Sequence, residues 1–231
     1  MPSTINGETA DGWVQSYLQG TWAGLRQRTA PQWRIDDDNL RDVDAVTMYH
    51  TEGMRGSSYG MKRAFFDFDV SGITVEPTEA TLNIRGHANG DLDVIAVRSD
   101  QGSSLERADF QAIAGAEEEF AASDGIGGGT LLEATGVKVY SAKFTSWNTS
   151  GYNQADITAI GLADISEMDN WRFCLMDYDY DFLDIDPPEA ISYTGVFWGE
   201  GVGENTQPYI QYVPGTAAAA ADNATFFGAN F

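Results

Sequence analysis

Apolar and polar side chains alternate at every second position in run after run of this chain, the period of a β-strand with one face on a core. RAFFDFDVSGI (63–73) is the sharpest case, placing Phe66, Phe68 and Val70 on one side and Phe65, Asp67 and Asp69 on the other before Ser71-Gly72 stops it. Similar runs follow: AVTMYH (45–50), ATLNIRG (80–86), DLDVIAVRS (91–99), VKVYSAKF (137–144), NWRFCLMDYDY (170–180), SYTGVFWG (192–199) and PYIQYV (208–213). Gly, Asn, Ser and Pro separate them, which predicts antiparallel strands joined by turns. Asn89-Gly90 between the second and third of these runs predicts a β-hairpin, because both residues tolerate the positive φ of a tight turn.

Helical spacing is scarce. SLERADFQAIAG (104–115) and ITAIGLADISEM (157–168), the latter with Asp156 as cap, predict two short helices. RIDDDNLRDVD (34–44) and GAEEEFAASDGIGGGT (115–130) read as surface loops. The expected fold is therefore all-β, a single jelly-roll β-sandwich over residues 1–213 with one or two short helices, followed by an extended C-terminal arm, 214–231.

With 35 Asp and Glu against 13 Lys and Arg, the net charge is −22. Such a molecule repels phosphate backbones and anionic lipid, so neither nucleic acid nor a membrane is an expected partner. The start, MPSTINGETADGW, has no basic region followed by an apolar one, and no apolar run approaches a membrane span. The expectation is a protein made in a cytoplasm without a signal peptide. One cysteine, Cys174, excludes an internal disulfide.

MDYDYDFLDID (176–186) is the most chemical stretch. On a strand, Asp177, Asp179 and Asp181 share one side while Met176, Tyr178, Tyr180 and Phe182 take the other, so one reading is a solvated carboxylate face. Another is a Ca²⁺ site, in which a hard cation relieves the repulsion of Asp177, Asp179 and Asp181, and Asp184 and Asp186 complete the cage. A third makes Asp177 or Asp179 the acid of a polysaccharide-cleaving enzyme, although such chemistry needs a second carboxylate across a cleft. With only His50 and His87, and no HExxH or CxxC, transition-metal ligands are lacking. GIGGGT (125–130) lacks the lysine of a phosphate-binding loop.

Of the six tryptophans, Trp198 stands beside a glycine-rich turn and is the candidate for stacking on a glycan. The arm TAAAAADNATFFGANF ends with Phe226, Phe227 and Phe231, which either pack back on the chain's own sandwich or are candidates for contact with a neighbouring subunit.

In order along the chain, KRAFFDFDVSGI, VEPTEATLNI, WNTSGYN, ADITAIGLADI, RFCLMDYDYD and QPYIQYV form a set over about residues 10–213. This set resembles the DNRLRE-like β-sandwich modules and related bacteriophage virion proteins. The resemblance implies a jelly roll like that of carbohydrate-binding modules, without catalytic residues, and some related modules bind calcium through loop acids. It further implies a non-enzymatic virion component, a capsid decoration, cement or other minor protein. Its expected partners are capsid or tail proteins, or copies of itself in a homo-oligomer. The alternative is a carbohydrate-binding or receptor-binding head that recognises a host surface polysaccharide. A start this close to the first β-like run leaves room for one module and an arm, which suits decoration better than a fibre.

Overall fold

A computed structural model describes residues 2–7, 11–26, 33–34, 41–116, 131–132, 136–198 and 206–216. The strands among them are β1 (Ser3–Asn6), β2 (Gly12–Gln19), β3 (Trp33–Arg34), β4 (Arg41–Gly53), β5 (Gly56–Asp69) and β6 (Glu79–Gly90). Then follow β7 (Val94–Arg98), β8 (Tyr152–Asp156), β9 (Asn170–Asp177), β10 (Ala190–Phe197) and β11 (Tyr209–Val213). Among the described residues, helix is confined to α1 (Trp22–Arg26), α2 (Ala159–Glu167), a 3-10 turn at Arg107–Gln111 and a π-helical turn at Tyr178–Phe182.

β5 is central. Its first half is hydrogen-bonded between β2 and β4, and from Ala64 onward β9 takes the place of β4. From β4 the ladder continues through β10 to the far end of β6, whose earlier residues lie between β8 and β11, with β1 beyond. From β9 it continues through β7 to residues 139–144, and a Ser141–Ile157 bridge joins these to the end of β8. The antiparallel pairing thus returns on itself around the core. The protein is an all-β sandwich with few short helices, as its alternating pattern predicts.

Both faces of β5 are covered. Phe66 and Phe68 stack with Phe173 at 4.9 and 5.9 Å between centroids, and Trp171 of β9 stacks on Tyr140 at 4.5 Å. On the opposite face Arg63 meets Phe110 of the 3-10 turn and Asp181 of the π-helical turn. Phe65 and Asp67, expected to face water, are consequently buried, at 0% and 3% exposure. Asp67 is kept soluble in this interior by Arg172 Nε at 2.8 Å and Asn170 Nδ2 at 3.0 Å.

The predicted hairpin at Asn89-Gly90 does not form. β6 runs through Gly90, and β7 leaves to pair with β9. Gly90 serves close approach instead of a turn: a Cβ there would lie 2.8 Å from Trp147 Cβ. The tight hairpin is Gly53-Met54-Arg55-Gly56 between β4 and β5, where Gly56 has φ of +99°. Of the two predicted helices, 104–115 contracts to the 3-10 turn, and α2 is capped by Thr158, whose hydroxyl accepts from Gly161 N at 3.3 Å, where Asp156 was expected. Residues 137–144 join β7 by isolated bridges in place of a regular strand.

Candidate functional site

The acid row abandons strand geometry at Asp177. There β9 ends, and Tyr178–Phe182 coils into the π-helical turn, with the Asp177 carboxylate accepting from the backbone N–H groups of Tyr180 and Asp181. The expected wet face of Asp177, Asp179 and Asp181 therefore does not exist. Asp177 and Asp181 are buried, Asp179 and Asp184 are half-buried, and Asp186 is exposed.

Asp181 is the anchor. Arg63 donates from Nε to Oδ2 and from Nη2 to Oδ1, both at 2.7 Å, a fork-to-fork pair. Arg26 adds Nε at 3.4 Å to Oδ1 and Nη2 at 2.6 Å to the Asp181 carbonyl, and its Nη1 reaches Asp184 Oδ1 at 2.6 Å. Burial alone would push Asp181 upward, but the charge of Arg63 and its hydrogen bonds, then those of Arg26, hold it below the ordinary carboxylate range. Taking each ion out of water costs several kcal/mol, so these fully buried arginines require this density of bonds. Asp184 bends the chain into the left-handed region, with φ of 57°, which Asp tolerates.

Asp177 has the opposite fate. It has no arginine; burial, with the charges of Asp181 and Asp179 adding to it, outweighs the two N–H bonds and raises its carboxyl to about 7.

The segment that follows is tied to the β4–β5 hairpin. His50 Nδ1 lies 2.8 Å from Pro187 O and its Nε2 lies 3.0 Å from Glu52 Oε1. Both partners only accept, so both bonds form together only in the imidazolium. Burial works against that charge, but the bonds to Pro187 and Glu52 prevail and the His50 pKa is raised. The ring stacks on Tyr59 at 4.3 Å. Ser57 Oγ donates to the same Glu52 oxygen at 2.7 Å, so serine and histidine share the carboxylate without meeting. A third cluster ties α2 to the sheet: Asp164 accepts from Tyr140 Oη and Lys138 Nζ, each at 2.7 Å, and from Arg98 Nη1 at 3.4 Å.

Among the described residues, no three His, Cys, Asp or Glu side chains are grouped to hold a metal ion. Asp177, Asp179, Asp181, Asp184 and Asp186 are thus not gathered into one cage: Asp177 accepts from N–H groups of the π-helical turn, while Asp181 and Asp184 both bind Arg26. Trp198 is 2% exposed, with its ring 5.2 Å from Phe66, so it offers no face to a sugar. Phe226, Phe227 and Phe231 lie outside the described residues, as does most of the expected arm and loop 115–130. Among the described residues no helix is long and apolar enough to cross a membrane.

One surface stands apart. Tyr17 of β2, Gly60 of β5, Tyr49 of β4 and Ile191 of β10 are register partners in one rung, so their side chains project from the same face. The two tyrosine rings lie 6.1 Å apart over Gly60, where a Cβ would come within 3.4–3.5 Å of both side chains. Tyr17 is 44% exposed and Ile191 56%, and Met54 at the hairpin tip is fully exposed. The flanking rungs are Gln15, Lys62, Thr47 and Tyr193 on one side and Gln19, Ser58 and Thr51 on the other. The strand residues of these three rungs include no Asp or Glu, but the exposed Glu189, immediately before β10, adjoins the last of them, its Oε1 accepting from Glu52 N at 3.3 Å. Asp44 reaches Lys62 Nζ from beside the face, at 2.8 Å, and is neutralised by it.

Together the fold and these clusters define an all-β sandwich whose interior charges join one element to another. No family model matches this chain, and no curated protein matches it.

Sequence reasoning missed Arg26, Arg63 and His50. A signal for Arg63 exists: it occupies the period-two position between Met61 and Phe65, where a cation implies a buried counter-charge.

Proposed function

We propose that this protein is a non-enzymatic structural component of a phage particle, a decoration, cement or other minor virion protein acting through protein–protein contacts. One observation carries the non-enzymatic part. Asp181, Asp164 and Asp67, the deeply buried carboxylates with cationic partners, each join distant chain segments and have their oxygens occupied by donors. Such groups hold a shape; they are not poised to exchange protons with a substrate. The particle assignment is supported by the ordered set of segments from KRAFFDFDVSGI to QPYIQYV that resembles virion modules. Co-sedimentation of the purified protein with capsids or tails is the expected result, and no association with either would overturn the assignment.

The competing reading, recognition of a host polysaccharide, loses Trp198 and would use Tyr17 and Tyr49 instead. Glycan-array binding abolished by Tyr49→Ala would favour it.

A further inference from the structure

Residues 184–189 join the π-helical turn to β10 without helix or strand of their own, and both ends are fixed. Arg26 Nη1 holds Asp184 Oδ1 at 2.6 Å, and Ala190 pairs with His50 in the β10–β4 ladder. Between these ends Pro187 is buried, although Asp186 and Pro188 beside it are exposed. Its carbonyl lies 2.8 Å from His50 Nδ1, while the other ring nitrogen lies 3.0 Å from Glu52 Oε1. A carbonyl and a carboxylate only accept, and a neutral imidazole carries one N–H. With a second proton the ring spans both partners; without it, a nitrogen lone pair confronts an oxygen at hydrogen-bond distance. The ring has little room to turn away, being 8% exposed and stacked on Tyr59 at 4.3 Å. Glu52 is held independently by Ser57 Oγ at 2.7 Å, so the Pro187 carbonyl is the partner free to leave.

We propose that residues 185–189 are a strap latched to the β4–β5 hairpin by the His50 imidazolium, and that loss of its proton releases Pro187. Among the described residues, the titratable and charged groups facing the ring are Glu52 of β4, Tyr59 of β5 and Asp186 of the strap, with Glu189 bound to Glu52 N–H beside them. Burial opposes the cation, but the bonds to Pro187 and Glu52 and the charges of Glu52 and Asp186 outweigh it and raise the His50 pKa. The latch is therefore complete below 6.5 and is lost as pH rises through the raised native value. Toward acid it persists, because Ser57 first and then His50 hold the Glu52 carboxyl below its ordinary range. The strap is independent of the particle reading, since protonation and release are both properties of the isolated chain.

Full-length protein carrying 13C-labelled proline, with a neutral gadolinium chelate in solution, reports how accessible Pro187 is by paramagnetic relaxation. The His50 ring is titrated in the same samples by NMR. Pro187 relaxation should rise with the midpoint of His50, above 6.5, the ratio of released to latched strap growing by up to about tenfold per pH unit within that window. His50→Gln should make Pro187 accessibility independent of pH, and His87→Gln, on β6, should leave the transition unchanged. Glu52→Gln is the decisive variant. Its amide donates to Nε2 of a neutral ring while Nδ1–H donates to Pro187, and the Ser57 hydroxyl turns to accept the second amide hydrogen. Pro187 should then stay protected at the pH where the wild type opens, a rescue that loss of a purely structural ion pair does not produce. Circular dichroism shows that each variant is folded; if His50→Gln is not, Glu52→Gln decides alone. Protection of Pro187 that does not change with pH, a His50 pKa at or below 6.5, or a Glu52→Gln chain that opens as the wild type does would each overturn the proposal. So would a transition that survives His50→Gln, which would trace it to Asp177, whose carboxyl titrates at about 7.

Discussion

Replacing Asp177 with asparagine should stabilise the protein above neutral pH. Asp177 is 3% exposed and burial is the main reason its carboxyl titrates at about 7 instead of the ordinary 3.8. The native state therefore holds this proton more tightly than the unfolded chain does. Its contribution to stability is complete below pH 3.8, declines as pH rises, and is lost once pH passes about 7. A shift of about three units at 1.36 kcal/mol each makes this loss about 4 kcal/mol, an upper limit because water entry relieves part of the burial cost. Asparagine cannot ionise, and its carbonyl oxygen can still accept from Tyr180 N–H. Its extra amide donor carries a cost independent of pH, so the slope of the difference is the diagnostic quantity. Urea unfolding of both proteins, followed by tryptophan fluorescence at pH 4, 6 and 8, should show the variant gaining on the wild type by up to about 4 kcal/mol across that range. A difference that stays constant with pH, or a variant that loses ground as pH rises, would refute the reasoning.

Asp181→Asn leaves Arg63 and Arg26 buried without their shared carboxylate and should cost about 3–5 kcal/mol in denaturant unfolding. Gly90→Ala drives a methyl group into Trp147 at 2.8 Å and should cost about 1–3 kcal/mol by the same assay; a neutral result would mean that the 147–148 segment yields freely. Millimolar Ca²⁺ should leave the melting temperature unchanged, because the five aspartates of the acid row are not gathered into a cage; a clear rise would restore the calcium reading. His50 should titrate above 6.5 by NMR, and because its native pKa is raised, the stability it contributes is present below 6.5 and lost as pH rises through the native value. His50→Gln should remove that part of the pH dependence.

The amino-acid sequence determined the β architecture, because alternation is a local property: the runs at 45–50, 80–86, 192–199 and 208–213 all lie largely within strands. It also placed Phe66 and Phe68 on a core face. It could not place Phe65 and Asp67, since the opposite face of β5 meets partners remote in the chain: Phe110 and Asp181 at Arg63, and Asn170 and Arg172 at Asp67. Asn89-Gly90 has the chemistry of a turn, and only the approach of Trp147 shows that Gly90 is needed for want of a side chain. The acid row marks the same boundary most clearly. Its alternation predicts a wet strand, yet Asp181 is drawn inside by Arg63 and Arg26, which precede it by 118 and 155 residues. Whether a carboxylate faces water or anchors a core depends on whether a counter-charge is delivered to it, and that is decided by the path of the whole chain.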